Sequence, residues 1–344
     1  MDAPQPTPSA EWSEPHPTRR RIPAASGLRP ALGRFVRGNG ILIAFVLLIV
    51  IGALQSPHFL TLDNFANVAR QASIAGILGI GMTFVILTAG IDLSVGSILG
   101  IVAVVFASLL AGGVPWPVAI LLALALGGGV GALNGLGITK GGLQPFIMTL
   151  GMLVIARGVT LTYTDAKPVR VGEQADAIAW IGNGNVIGIP VPFLLFAGIA
   201  FGAWFVLRHT TFGRQVYAVG DNTEAARLAG IPTNRVVFSV YVISGLCAAV
   251  SALIVVSRLG AAEATQGEGF ELDAIAMVVI GGTSLFGGSG GVVGTVIGAG
   301  IIAVVNNLLN LIGVPPFSQR IAKGLIILGA VLLERRTRGK EEGR

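Results

Sequence analysis

Residues 71–90 read QASIAGILGIGMTFVILTAG, and residues 91–112 continue IDLSVGSILGIVAVVFASLLAG. Asp92 is the one formally charged side chain in this stretch. A helix rises about 1.5 Å per residue and the hydrocarbon core of a bilayer is about 30 Å thick, so about 20 apolar residues make a crossing. Each half of the stretch has that length. Only Ile91-Asp92-Leu93 separates them, so the pair reads either as two successive spans or as a broken, re-entrant arrangement. In both cases the solvent for this part of the chain is lipid.

Composition extends that reading to most of the 344 residues, of which 53 % are hydrophobic and 12 % charged, with a mean hydropathy of +0.80. Soluble domains carry roughly a quarter charged residues, so the supply for a wetted surface is about half the usual one. A core cannot absorb so much apolar material and still leave a polar shell. The 50 glycines suit helices that approach closely in a membrane. The net charge of +6 is concentrated in two tails, Arg19 to Arg37 and Arg335 to Arg344, without interleaved aromatics, which argues against nucleic acid as a partner. Cys247 is the single cysteine and stands in an apolar run, so it reads as a small buried hydrophobe rather than a disulfide or metal ligand.

Residues 1–38, rich in Pro, Ser and Arg, read as a disordered cytoplasmic tail. The apolar run 41–54 is followed by Gln55-Ser56-Pro57-His58 and not by a small-residue cleavage site, which makes it an uncleaved first span. Spans are expected over about 39–55, 71–90, 94–112, 116–138, 145–163, 191–207, 235–256, 272–286, 291–312 and 319–333. The expected fold is therefore an all-α polytopic membrane protein of about ten transmembrane helices. Some are short or broken, the 272–286 segment in particular. A membrane domain over 39–334 is closed by a basic cytoplasmic tail, 335–344. Placing both termini inside puts 16 of the 23 Lys and Arg residues on the cytoplasmic side, which favours N-in, C-in topology. Loops at about 164–190 and 257–271 then face outward, and a long loop at about 208–234 faces inward.

Little in the chain supports an enzyme. His16, His58 and His209 lack partners at metal-ligand spacing, and no serine stands in a nucleophile elbow. No glycine-rich loop ends in Lys-Ser or Lys-Thr, so the chain has no ATP site of its own. What remains for an enzyme is a set of scattered carboxylates. Polar residues at membrane depth are the sharper signal, since each is costly in hydrocarbon. Asp92, with Ser94 and Ser97 after it, reads as a helix N-cap and as a candidate lining of a translocation path. Asn134, Asn306, Asn307 and Asn310 read first as interhelical hydrogen-bonding groups. Glu271 and Asp273 open the 272–286 segment, where the helix dipole favours acids. The run from Gly281 to Gly291, containing Thr283 and Ser284, reads as a tight backbone-lined turn near the membrane.

The inward loop is the most informative stretch. Phe212 to Gly220 leads into Asp221-Asn222-Thr223-Glu224-Ala225-Ala226-Arg227-Leu228-Ala229-Gly230-Ile231-Pro232. Asp221 or Asn222 can cap a short helix with Glu224 in its first turn, and Gly230 with Pro232 ends it. So short a helix is stable only when docked, which makes it a surface for a cytoplasmic partner.

At this loop the sequence resembles the permeases of ATP-binding-cassette importers, in the ribose/xylose-type simple-sugar branch. The residues that carry the likeness are Gly220, Asn222, Ala225, Ala226, Gly230 and Ile231. Two further stretches match in order and spacing: Ala89–Ser97, and Gly267–Ala276 running on into Gly281-Gly282-Thr283-Ser284-Leu285. The resemblance covers about 40–335 and leaves the front tail outside. It implies a permease of the bacterial inner membrane that moves a monosaccharide as a homodimer. It also implies a separate cytoplasmic ATPase that binds ATP-Mg, so this chain needs no cofactor, and a periplasmic or lipid-tethered sugar-binding protein. The loop residues Gly220 to Ile231, with Glu224, Arg227 and Leu228, would couple to the ATPase. Permeases for nucleosides and branched-chain amino acids belong to the wider group and stay open as substrate classes. An ATP-independent secondary transporter or channel is the competing class, but such proteins place ionisable groups mid-membrane, and here only Arg157 lies well inside a span.

The charge bias generates a topology test: reporter fusions after residue 180 are expected to report the outside, and fusions after 222 or 340 the inside. An outside signal at 222 would overturn the orientation.

Overall fold

The computed structural model describes residues 40–315 and scattered positions between 318 and 329. The tails expected over 1–38 and 335–344, and most of the tenth span, lie outside the described residues. Helix α1 covers Gly40–Gln55. Thr61 then starts α2 (Leu62–Leu87) by accepting the Asn64 amide, one of the donors that a helix start leaves open. Helices α3 (Val95–Ala111), α4 (Trp116–Thr139) and α5 (Pro145–Thr164) follow, the last two opened by prolines in the first turn, where no backbone donor is lost.

A polar segment between α5 and the next long helix holds a 3-10 turn and the short α6 (Ala175–Asn183), followed by a two-strand hairpin. Beyond it run α7 (Val191–His209), α8 (Thr211–Asp221), α9 (Thr223–Leu228), α10 (Thr233–Leu259), α11 (Phe270–Ile280) and α12 (Val292–Leu311). Among the described residues, six helices are long and apolar enough to cross a membrane: α2, α4, α5, α7, α10 and α12. The chain is thus an all-α polytopic membrane protein.

Helix α10 is the central post. It packs against α4 and α3 on one side and α2 on another, while α2 in turn carries α7, α11 and α12. Burial follows from that order: 83 % of the apolar window of α2 and 72 % of that of α10 are buried, against 22–28 % for α4, α5 and α7. The outer helices turn side chains such as Leu121, Val154 and Phe201 outward, which only a lipid solvent tolerates in such number. Backbones touch where α10 meets α4, because a Cβ on Gly245 would stand 2.2 Å from the Gly127 carbonyl oxygen.

The expected 272–286 span is replaced by α11, whose 11 residues reach about half the bilayer at 1.5 Å each. It stops at Gly281, where Gly294 of α12 approaches so closely that neither backbone leaves room for a side chain. Residues 281–291 form a glycine-rich turn, so Leu285 and Phe286 are not helical. At one end of the bundle, Val169–Arg170 pairs antiparallel with Ala261–Ala262, which ties the 164–190 and 257–271 segments together. At the other end, the break after α2, the 281–291 turn and α8 meet: the Gly288 amide donates to the Leu87 carbonyl at 3.1 Å and the Tyr217 hydroxyl to the Gly290 carbonyl at 2.9 Å.

Candidate functional site

The break between α2 and α3 is built around one buried carboxylate. Ala89 adopts a left-handed φ of 59°, turning the chain out of the helix after Leu87. Asp92 follows and is fully buried. Its Oδ1 accepts the Ser94 amide at 3.0 Å and the Ser94 hydroxyl at 2.6 Å, and its Oδ2 accepts the Ser244 hydroxyl of α10 at 2.8 Å. Asn134 of α4 donates its amide to the Ser94 hydroxyl at 2.8 Å. The Ile91 carbonyl takes the Thr149 hydroxyl of α5 at 3.2 Å and the Tyr241 hydroxyl of α10 at 3.4 Å. Asp92 forms no ion pair with a described Lys or Arg.

This arrangement corrects the N-cap reading. Ser94 occupies the cap position of α3, and Asp92, two residues earlier, fixes Ser94 rather than the helix amides. The Ser94 hydroxyl is consumed by Asp92 and Asn134, so the helix start has no side-chain cap. Ser97 lies buried one turn into α3.

The residues of the 208–234 loop form two helices and not one. Helix α8, whose Thr210 cap accepts the Gly213 amide, runs through the stretch expected as a lead-in. Asn222 then caps α9 through the Ala225 amide at 2.9 Å. Gly230, at φ 81°, closes α9 with a Gly230-to-Arg227 and an Ile231-to-Ala226 backbone hydrogen bond, a left-handed ending that favours glycine. Arg227 and Glu224 pair on the exposed face at 2.5 and 3.0 Å, and that contact holds the Glu224 carboxyl below the usual carboxylate range. Ala225 and Leu228 are exposed as well.

The expectation that both alanines face a partner needs correction: Ala226 is 4 % exposed and packs into this chain's own core. Gly220 ends α8 against the break itself, since a Cβ there would stand 1.8 Å from the Leu87 carbonyl oxygen and 2.7 Å from the Gly288 amide. The Tyr217 phenol, raised from its ordinary pKa by burial, stays a neutral donor to the glycine turn.

Glu271 stands in the first turn of α11, against Gly96 at the start of α3, where its carboxylate leaves no room for a Cβ. Arg157 reaches from α5 across Gly100 to donate to the Ala264 and Gln266 carbonyls at 2.7 and 3.0 Å. Asp273 is nearly buried and lines a cavity with Asn306. Thr283 and Ser284 hold the glycine turn, the former accepting the Gly291 amide at 3.2 Å and the latter the Phe286 amide at 3.2 Å. Asn307 exchanges two amide hydrogen bonds with Asn64, and Asn310 accepts from Gln319 at 2.8 Å. No group of three His, Cys, Asp or Glu residues suited to a metal occurs among the described residues.

Sequence reasoning gave no role to Ser244, Tyr241, Thr149 or Tyr217, which are ordinary residues in their helices and carry no local pattern. Arg157 did leave a signal, as a lone cation inside an apolar run.

The chain is a bundle of apolar helices with a break between α2 and α3, a half-length helix α11 and the short helices α8 and α9 at one end. Residues 64–333 match the family described as branched-chain amino acid transport system / permease component, and the chain belongs to that family. It is 47 % identical over 295 residues to the ribose import permease protein of Escherichia coli K12, covering 85 % of this chain and 92 % of that one. Identity to the ribose import permease protein of Bacillus subtilis 168 is 45 % over 297 residues, 86 % of this chain and 92 % of the relative. The D-allose transport system permease protein of E. coli K12 is 40 % identical over 294 residues, 85 % and 90 % of the two chains. No solved structure matches. The chain is a multi-pass permease component of the bacterial inner membrane.

The Asp92 network generates a contrast. Asp92→Asn keeps one acceptor for Ser94, and the Ser244 hydroxyl can rotate to accept from the new amide, so thermal stability is expected near wild type. Asp92→Leu strands three buried donors at about 1–3 kcal/mol each and is expected to lower the unfolding temperature in detergent by several degrees. Equal loss in both variants would show that the charge and not the hydrogen-bond geometry is required.

Proposed function

We propose that this chain is the permease subunit of an ATP-driven importer that carries a ribose-like monosaccharide into the cell. The observation that carries the reading is 45–47 % identity across 92 % of the length of permeases named for ribose import. The D-allose relative widens the class to monosaccharides without changing it. The family description also names branched-chain amino acids, but the relatives just cited are named for sugars.

In this reading α8 and α9 face the cytoplasm and meet a separate ATPase, while the loops at 164–190 and 257–271 face outward toward a sugar-binding protein. About ten spans, with both termini inside, form half of a homodimer. The exposed Ala225, Leu228 and the Glu224–Arg227 pair offer the docking face. Nucleotide-driven tilting of α9 passes through α8 to Gly220, which abuts both the break at 88–94 and the 281–291 turn. One displacement thus acts on the ends of α2, α3 and α12 together, enough to switch the pathway between outward and inward opening. A secondary transporter is less well supported, because Asp92 is committed to three hydrogen bonds and Arg157 to two loop carbonyls.

With the ATPase and binding protein in proteoliposomes, wild-type uptake of D-ribose is expected to require ATP. Ala225→Trp and Glu224→Lys are expected to insert and fold normally yet lose ATPase co-purification and at least about tenfold of uptake, equivalent to about 1.4 kcal/mol of coupling. Uptake driven by an ion gradient without ATP, or wild-type behaviour of both variants, would refute the proposal.

A further inference from the structure

We propose that the cavity between the end of α7, α8 and the start of α12 holds the headgroup of one anionic phospholipid. The cavity has a volume of about 680 Å³. Trp204, Leu207, Arg208 and His209 of α7 form one wall, Tyr217 of α8 a second, and Gly281 with residues 290–294 a third. That volume lies within the roughly 300–1,000 Å³ of small-molecule sites, which gives room for a phosphodiester and its glycerols but not for two acyl chains.

Charge selects the headgroup. No Asp or Glu is among the described residues that line the cavity. The Arg208 guanidinium is exposed and forms no hydrogen bond or ion pair with another described residue. Its planar fork of donors matches two oxygens of a phosphate. The Tyr217 hydroxyl is committed to the Gly290 carbonyl at 2.9 Å, so it closes its wall and leaves the phosphate to Arg208 and His209. The ammonium of a zwitterionic headgroup would find no carboxylate here. Basic pockets between membrane helices hold anionic headgroups by this same pairing.

Helix geometry selects a lipid over a free anion. Phe201, Trp204 and Arg208 recur at i, i+3 and i+7, which places them on one stripe of α7. The Phe201 ring lies 5.7 Å from that of Trp204 and is 65 % exposed. An acyl chain can therefore run from the cavity along an apolar stripe of a membrane-crossing helix. Trp204 then stands between chain and headgroup, the level at which indole rings are stable in a bilayer. His209 packs edge-on against Trp204 at 5.1 Å and lies 5.2 Å from Phe205, which fixes the corner where α7 ends. A lipid seated there touches α7, α8 and the 281–291 turn together.

The test titrates the purified full chain in detergent micelles with dioleoylphosphatidylglycerol or dioleoylphosphatidylcholine, read by native mass spectrometry. One phosphatidylglycerol is expected to bind at least about tenfold more tightly than phosphatidylcholine, and Arg208→Gln is expected to remove that preference. Arg235→Gln, which removes an exposed cation at the start of α10 outside the cavity, is expected to keep it. A second variant leaves Arg208 in place. Cys247 is buried, so Val293→Cys supplies one reactive thiol in the cavity wall. Its alkylation by N-ethylmaleimide is expected to be severalfold slower in phosphatidylglycerol nanodiscs than in phosphatidylcholine ones, whereas Leu228→Cys on exposed α9 reacts alike in both. Equal affinity for the two lipids, a preference that survives Arg208→Gln or is lost in Arg235→Gln, or equal alkylation of Val293→Cys in both lipids would overturn the site. Displacement of the lipid by millimolar inorganic phosphate would overturn it in favour of a free anion. Protection of Val293→Cys only when the proposed ATPase is added would overturn it in favour of a protein contact.

Discussion

The bundle depends on a carboxylate buried without a cation. Asp92 satisfies both its oxygens with Ser94 and Ser244, and through Ser94 it reaches Asn134. With the Thr149 and Tyr241 contacts to Ile91, the break after α2 is pinned to α4, α5 and α10 at once. A backbone buried inside the bundle has no water at hand to complete it, so a chain break there survives only where neighbouring helices supply the partners. The network therefore serves to hold an irregular segment in place, and the cost of burying the polar carboxyl group is offset by three donors aimed at it.

That segment is where α8 and the 281–291 turn meet. Gly220 at the end of α8 lies against the Leu87 carbonyl, and Gly287 in the glycine turn lies against Ala89, with spacings that leave no room for a side chain. Helix α11, which stops half-way, hands its continuation to the same turn. In the proposed importer, a displacement applied at α9 would be carried by backbone contact and would not depend on long side chains that could relax. A six-residue helix is too short to be stable by itself, and here Asn222 and Gly230 fix its two ends while Ala226 anchors it to the core.

Much of the architecture was legible because lipid imposes long apolar runs. Expected spans at 116–138 and 145–163 fall within a residue of α4 and α5. Legibility failed where helices are not apolar. Helix α2 begins at Leu62 and not near 71, because its first turns carry Asp63, Asn64 and Arg70. Helix α8 is amphipathic and reads as loop to a hydropathy argument. The half-helix was over-extended to 286 because Leu285 and Phe286 are apolar, although the glycines before them end the helix. The site residues divide the same way. Asp92, Asn134 and Glu224 stand out as polar groups in telling places, whereas Ser244 lies 152 residues from Asp92 and acquires its role only when α10 folds against the break. The two alanines of α9 look alike in sequence, and only helix phase separates the buried Ala226 from the exposed Ala225.

The central claim is that backbone contact at Gly220 transmits the motion of α9 into the membrane. The direct measurement is sugar moved per ATP hydrolysed by the reconstituted importer carrying Gly220→Ala, in which the added methyl group must displace the Leu87 carbonyl or the Gly288 amide. The account predicts that the ATPase still binds and hydrolyses ATP while sugar uptake per ATP falls by an order of magnitude or more. Uptake per ATP equal to wild type would contradict it.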